Sequence, residues 1–298
     1  MLKKCAIKKL IISSLALIIM VLLCLFPTEK LEPSDTKIYI NGNQMVLYTV
    51  DKNKFVARTE IIKNQENDIE FIIDALTIDS IYSQSLPPGF SGLIPKNTKL
   101  LDYSLSDGLL KLNFSKEFFN VSKENEEKLF ESLIYSLCEL ENVNKIMIFI
   151  NGVLLEKMPT SSKKLPLYLD KNFGINKQYD LNSFKETSMT TIYYIAKNND
   201  YSYYIPISKI TNEKLEPVEV IVKELKKTPI YDTNLISYLT ASYELLDYEI
   251  LENSISLSFN NTLIASLNDD EIVEKLKYSL VFSVRDTYNI NEISININ

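Results

Sequence analysis

Apolar and polar residues alternate twice along this chain in the same way. Residues 100–115 read LLDYSLSDGLLKLNFS and residues 245–260 read LLDYEILENSISLSFN. In the first stretch Leu110, Leu112 and Phe114 alternate with polar residues, and in the second Ile255, Leu257 and Phe259 do so. Such alternation marks a strand with one buried face. Ser106-Asp107-Gly108 and Glu252-Asn253-Ser254 precede these strands as turns, because Asp-Gly supplies positive φ and Asn tolerates it. Each stretch is therefore predicted to be a hairpin.

The period changes after each hairpin. Leu129, Phe130, Leu133, Ile134, Leu137 and Leu140 recur every three or four positions within 124–141. Ile272, Val273, Leu276, Leu280 and Val284 do the same within 269–286. Both patterns lay apolar residues on one helix face. Tyr135-Ser136-Leu137 matches Tyr278-Ser279-Leu280 in this reading. A closing strand follows each helix, with Ile146, Ile148 and Ile150 answering Ile293, Ile295 and Ile297. Agreement in order over hairpin, helix and strand makes the chain an internal duplication. The predicted class is α+β, two tandem repeats of a small mixed sheet with helices packed on one face. Residues 45–155 and 189–298 are expected to superpose as one unit, and 156–188 to link them. Lys157, Pro159, Ser161, Lys164 and Pro166 mark that linker as a solvated break.

Upstream, two short strands are predicted around Val46–Val50 and Phe55–Ile61, and a short helix over Ile69–Leu76. Their counterparts are Ile192–Ile195, Tyr201–Ile207 and Val218–Leu225. Residues 85–99 are rich in proline and glycine and predict an ordered loop. No equivalent of that loop is legible in repeat two, where 230–244 replaces it.

The N-terminus carries Lys3, Lys4, Lys8 and Lys9, then an apolar run from Leu10 to Phe26. A basic flank keeps that end in the cytoplasm and sends the remainder across. The reading is a cytoplasmic basic end (1–9), a membrane anchor (10–26) and a tether (27–44). No small-residue cleavage site closes the run. Lipidation at Cys24 is the alternative, although Leu23 is large for the position before a lipidated cysteine. Either anchor makes the cytoplasmic membrane a partner and leaves the folded part extracytoplasmic.

Composition removes several kinds of chemistry. The chain of 298 residues has no histidine and no tryptophan, and its net charge is −7. Without histidine the commonest general base and metal ligand are missing. The acidic balance and the lack of a basic tail argue against nucleic acid. No cofactor, metal or catalytic residue is predicted. Asp102 and Asp107 flank a strand, but only Asp102 recurs as an acid, at Asp247, so a turn role fits Asp107. Asp269, Asp270 and Glu271 stand where a helix N-cap and its first turn want acids. Cys138 reads as a buried, inert thiol.

Gly92-Leu93-Ile94-Pro95-Lys96-Asn97-Thr98-Lys99-Leu100-Leu101 resembles the entry motif of the GerM-type sporulation and germination domain, in which Asn97 replaces the usual glycine. Asp107-Gly108, Leu112-Asn113-Phe114-Ser115 and the helix beginning near Glu124 continue the pattern. Repeat two lacks the motif and joins through the internal match. The resemblance implies an anchor followed by two such domains, similar to the ring-building motif of secretion-system proteins. It implies a non-enzymatic role in endospore formation, as a structural part of the channel between mother cell and forespore. The partners so implied are other channel proteins and a self-oligomer or ring. The competing reading is a peptidoglycan- or carbohydrate-binding module, with tyrosines 193, 194, 201, 203 and 204 as its platform.

The closing strands differ between repeats. Ser294 and Asn296 leave one face of the second wet, whereas Met147 and Phe149 make the first apolar on both faces. A strand apolar on both faces must be covered twice. Met147 and Phe149 are therefore expected at a domain or subunit contact, unless the 85–99 loop covers them.

Overall fold

The computed structural model describes residues 34–35, 44–63, 66–198, 201–227, 234–260 and 270–297. Contacts divide the chain into Met1–Asp35 and Thr36–Asn298, and the architecture below belongs to the second unit. The predicted anchor (10–26), Cys24 and nearly all of the tether lie outside the described residues. Among the described residues no helix is long and apolar enough to cross a membrane.

Repeat one contains β1 (Gln44–Val50), β2 (Val56–Ile62), α1 (Asp68–Ala75), β3 (Leu100–Ser106), β4 (Leu109–Phe114), α2 (Glu126–Leu137), β5 (Lys145–Ile150) and β6 (Val153–Leu154). A short strand of the linker, β7 (Gln178–Asp180), follows. Repeat two contains β8 (Ser188–Asn198), β9 (Tyr201–Thr211), α3 (Pro217–Lys226), β10 (Leu245–Ile250), β11 (Ser254–Phe259), α4 (Asp270–Tyr288) and β12 (Glu292–Ile297).

Each repeat builds the predicted hairpin-helix-strand sheet. In repeat one the order is β3-β4-β5-β6, and in repeat two β10-β11-β12. The hairpins are antiparallel and the closing strand is parallel to the second hairpin strand, with Leu110 beside Ile146 and Ile255 beside Ile293. Parallel pairing requires a long crossover, and α2 and α4 supply it. Alternation decides the buried face. Leu110, Leu112, Phe114, Ile146, Ile148 and Ile150 are all buried, as are Ile255, Leu257, Phe259, Ile293 and Ile295. The repeated LLDY segment is a β-bulge in both copies, since pairing skips Leu101 and Leu246. The hairpin turns differ. Asp107 and Gly108 take φ of 50° and 74°, whereas neither Glu252 nor Asn253 has positive φ.

One feature goes beyond two self-contained units. The opening hairpins β1-β2 and β8-β9 pair with each other to form one five-stranded sheet. β2 and β9 are antiparallel, with Arg58 opposite Tyr204. β9 has β8 along one side, and β2 then β7 along the other.

The linker is exposed at Lys157, Lys164 and Pro166, as expected of a solvated break, but it is anchored to repeat one. Met158, Leu165, Leu169 and Ile175 are buried in the repeat-one core. Leu169 pairs with Ile146 at the edge of β5, and Lys157 pairs with Lys164. The lysines, serines and prolines that suggested solvent are the turn residues between these anchors. The replaced loop is likewise nearer to its counterpart than its sequence shows. Ser91 bridges to Val50 in repeat one, and Ile236 bridges to Ile195 in repeat two.

The glycine-proline motif closes repeat one. Leu93 and Ile94 are buried, the Ile94 amide donates to the Leu76 carbonyl (2.9 Å), and the Ile78 amide donates to the Ile94 carbonyl (2.9 Å). Asn97 takes φ of 67°, the left-handed position that glycine fills most easily. A Cβ on Gly92 would stand 2.2 Å from the Leu76 carbonyl oxygen, and that backbone is fixed at the end of α1. Gly92→Ala should therefore lower stability by about 1–3 kcal/mol. A urea midpoint equal to that of the native chain would show that the loop yields there.

Candidate functional site

Sequence spacing places Ser132, Ser136 and Glu139 along one side of α2 and its end, because three and four residues are about one helical turn. Ser279, Ser283 and Asp286 repeat this on α4. The two sets are 147 positions apart, as are Leu129 and Leu276, Leu133 and Leu280, and Leu137 and Val284. The Tyr-Ser-Leu match, 143 positions apart, is therefore one helical turn out of register. It paired two similar tripeptides that face different neighbours.

These serines solve an edge problem. β1 and β8 are outer strands of the shared sheet and would leave backbone groups unpaired. The Tyr48 amide donates to Ser136 Oγ (2.8 Å), and Ser132 Oγ donates to the Tyr48 carbonyl. In repeat two the Tyr193 amide donates to Ser283 Oγ (2.8 Å), and Ser279 Oγ donates to the Tyr193 carbonyl. All four serines are buried. Thr287 adds a third clamp on α4, taking the Thr191 amide (3.1 Å) and donating to its carbonyl (3.2 Å). Leu140 stands at the corresponding place in repeat one. A cavity of about 430 Å³ opens there, lined by Val46, Ile72, Ser136, Glu139 and Leu140 among others.

The clamped tyrosines are equivalent residues 145 positions apart, and their phenol oxygens meet at 2.7 Å. Tyr48 reaches Glu139 Oε1 at 3.2 Å and Tyr193 donates to Asp286 Oδ2. Two phenol protons thus serve three contacts. Lys171, from the linker, bridges Glu139 (2.9 Å) and Asp286 (2.8 Å). Arg285 donates from Nη2 to Glu139 (2.8 Å) and from Nε to Asp286 (3.2 Å). Two acids and two bases therefore balance in a site where the Asp286 side chain is 1 % exposed. Burial, then the nearby Glu139 and Asp286, push the Tyr48 phenol far up, so it remains a proton donor. Burial opposes ionisation of Glu139, but Arg285, Lys171 and Arg58 outweigh it and hold this carboxyl well below its usual range. Arg58 lies 4.3 Å over the Phe282 ring and pairs with Glu60 (2.6 Å).

A second linker residue joins the two hairpins. Pro206 has no amide proton to give the β2-β9 ladder. Asn176 supplies side-chain bonds instead, accepting from the Val56 amide (2.9 Å) and donating to the carbonyls of Val56 (2.7 Å) and Pro206 (2.8 Å). The Asn176 amide in turn donates to Glu131 Oε2 (3.1 Å). At the hairpin tips Tyr203 donates to Asp51 (2.8 Å), Lys52 to Asn198 (2.8 Å), and Asn198 to the Pro88 carbonyl (3.0 Å).

Met147 and Phe149 are half-buried on the outer face of their sheet, beside Lys111 and Asn113. Phe149 borders a small depression of about 200 Å³ with Asp102, Ser104, Lys111 and Asn113. The bonds of the 85–99 loop run instead to β1, to the end of α1, to Ser115 and to Asn198. Of the five tyrosines in the predicted platform, Tyr193 and Tyr203 are buried, Tyr194 and Tyr204 half-buried, and only Tyr201 exposed. Cys138 is half-buried at the end of α2, and burial pushes its thiol up to about 12, which keeps it protonated and unreactive. Among the described residues no group of three or more metal-ligating side chains occurs. Lys171, Asn176, Arg285 and Asp286 were not singled out by the sequence reading. The recurring Ser-x3-Ser-x2-acid spacing is the signal that points to their neighbourhood.

This arrangement defines a class, the tandem α+β proteins whose two domains share one sheet and one polar junction. Residues 37–156 match the family model described as Germane, sporulation and spore germination. The chain is 28 % identical over 276 residues to spore germination protein GerM of Bacillus subtilis (strain 168), covering 90 % of this chain and 75 % of that protein. It matches the solved tandem GerMN domains of the sporulation protein GerM from Bacillus subtilis with a TM-score of 0.77 at 25 % identity, covering 86 % of this chain and 90 % of that one. The chain therefore carries a Germane domain over residues 37–156 and has the fold of the tandem GerMN domains of GerM, which it resembles along both repeats.

Glu131 gives the junction a pH dependence. Burial pushes its carboxyl from 4.5 up to about 7, against the pull of Lys177 and the Asn176 amide, with Glu127 adding to the rise. The folded state therefore holds more protons than the unfolded state between these values. Its contribution is fullest below about pH 4.5 and is lost as pH rises through about 7. Glu131→Gln should remove this loss, so the variant gains on the native chain by about 2 kcal/mol from pH 5 to pH 8. Urea unfolding at both pH values measures the difference, and parallel pH profiles would contradict the shift.

Proposed function

We propose that this chain is a non-enzymatic structural protein of endospore formation, resembling the GerM component of the channel between mother cell and forespore. The observation that carries the reading is the match along both repeats and their shared sheet to the tandem GerMN domains of GerM. A polar junction whose buried phenols and ion pairs hold one another in place supports a structural scaffold rather than a reactive centre. The basic start and apolar run at 10–26 support a cell-membrane anchor, single-pass or through lipid at Cys24, with both domains in the space between the two membranes. Other sporulation channel proteins and further copies of this chain, as in a ring, are the partners this role needs.

Met147 and Phe149 are the proposed contact. Apolar side chains remain half-exposed on a sheet face there, where repeat two carries Ser294 and Asn296. Deleting the coding sequence from its host should leave vegetative growth intact and impair spore formation or germination. Normal spores that germinate normally would contradict the role. Phe149→Ser should change folding stability by less than about 1 kcal/mol, as expected for a surface position, yet reproduce the sporulation defect. A large loss of stability would return Phe149 to the core.

A further inference from the structure

β10 is an outer strand with a well-defined backbone phase. The Leu251 amide donates to the Ser254 carbonyl (2.9 Å) and closes the hairpin turn. Bonded and non-bonded pairs alternate along an antiparallel ladder. Tyr248 and Ile250 therefore turn their amide and carbonyl groups away from β11. Among the described residues the Tyr248 amide is met by the neighbouring Asp247 Oδ1 (2.9 Å). Ile250 has no such cap among the described residues.

The side chains at this edge are both apolar and acidic. Leu246, Ile250 and Leu251 are 53 %, 42 % and 56 % exposed, and Leu246 is pushed outward by the bulge. Glu244, Asp247, Glu249 and Glu252 are exposed along the same edge. Partial burial, then Glu219, Glu216 and Asp247, push the Tyr248 phenol up, so the acids at the start of α3 also act on this strand. From 228 to 274 the sequence contains no lysine or arginine to offset them. The equivalent edge in repeat one, β3, is different. Its single acid, Asp102, is engaged by Asn113 Nδ2 (2.8 Å), and Lys99 and Lys111 lie close by.

An unpaired edge accepts another strand. Like charge opposes a second copy of β10, since Asp247 and Glu249 would face their own kind. We propose that β10 is a docking edge for an extended segment of a partner protein in which lysine or arginine alternates with apolar residues. The segment adds as a further strand. Its backbone bonds Ile250 and the Tyr248 carbonyl, its cations meet Asp247 and Glu249, and its apolar side chains cover Leu246 and Ile250. The inference goes beyond the sporulation role and does not depend on it.

The probe is a short synthetic peptide of alternating lysine and valine, with a glutamate–valine peptide as its counterpart, added to the full chain. The lysine peptide should bind and the glutamate peptide should not. Neutralising the edge with Asp247→Asn and Glu249→Gln should weaken binding by about tenfold or more, because charge pairs there set the choice of partner. Ile250→Pro should weaken it comparably without loss of fold, since proline is tolerated where the amide faces outward. Amide exchange at Ile250 of the unaltered chain should slow when the peptide is present, a readout that stands even if the proline variant fails to fold. Absence of binding overturns the proposal. So does binding that leaves exchange at Ile250 unchanged, which is charge attraction without strand addition.

Discussion

Two buried phenols, Tyr48 and Tyr193, meet across the centre of the molecule, and the rest of the structure is arranged to keep them there. A buried hydroxyl pair beside two carboxylates is costly unless each group is satisfied. Lys171 and Arg285 balance Glu139 and Asp286, and burial keeps both phenols protonated. The same tyrosines are held by their backbones, through the serine pairs of α2 and α4. Strand, helix and linker are thus fixed at a single point. Loss of one charged partner would leave the other ions uncompensated, which typically costs about 3–5 kcal/mol. That cost falls on both repeats together.

Duplication explains the pattern and the departures from it show where each copy has specialised. Repeat one keeps a glycine-proline loop seated on α1, and an apolar outer strand with Met147 and Phe149. Repeat two has a third hydroxyl clamp at Thr287, an outer face of serine and asparagine, and an acidic edge at β10. Leu140 replaces Thr287 in repeat one, and a cavity opens beside β1 there. Scaffold positions recur, whereas these surface positions do not.

Much of the fold was legible because period and turn chemistry are local. Alternation at Leu110, Leu112 and Phe114 gave strand and face together. Asp107-Gly108 gave a turn, and the left-handed backbone at Asn97 follows from what asparagine tolerates. The junction was not legible, for physical reasons. Serine within a helix carries no hydrophobic period, so Ser132 and Ser136 could not align α2 with α4, and a chance Tyr-Ser-Leu match took their place. Glu139 and Asp286 lie near helix ends, where acids usually meet solvent. The linker announced itself by its prolines and lysines, while Met158, Leu165, Leu169 and Ile175 are too irregularly spaced to show a buried path. Nothing local marks Asn176, whose role exists only because Pro206 lies across from Val56. The joining of the two hairpins into one sheet is likewise a tertiary event without a sequence period.

The central claim is that the shared sheet and its polar junction make the two repeats one cooperative unit. The chain has no tryptophan, so a single introduced indole reports on one repeat without background. Phe119→Trp places it on repeat one and Leu251→Trp on repeat two, both at exposed positions. Urea unfolding of the two full-length variants should give coincident midpoints, and adding Lys171→Met should lower both by the same amount. Separate midpoints, or a Lys171→Met loss confined to one indole, would contradict the account.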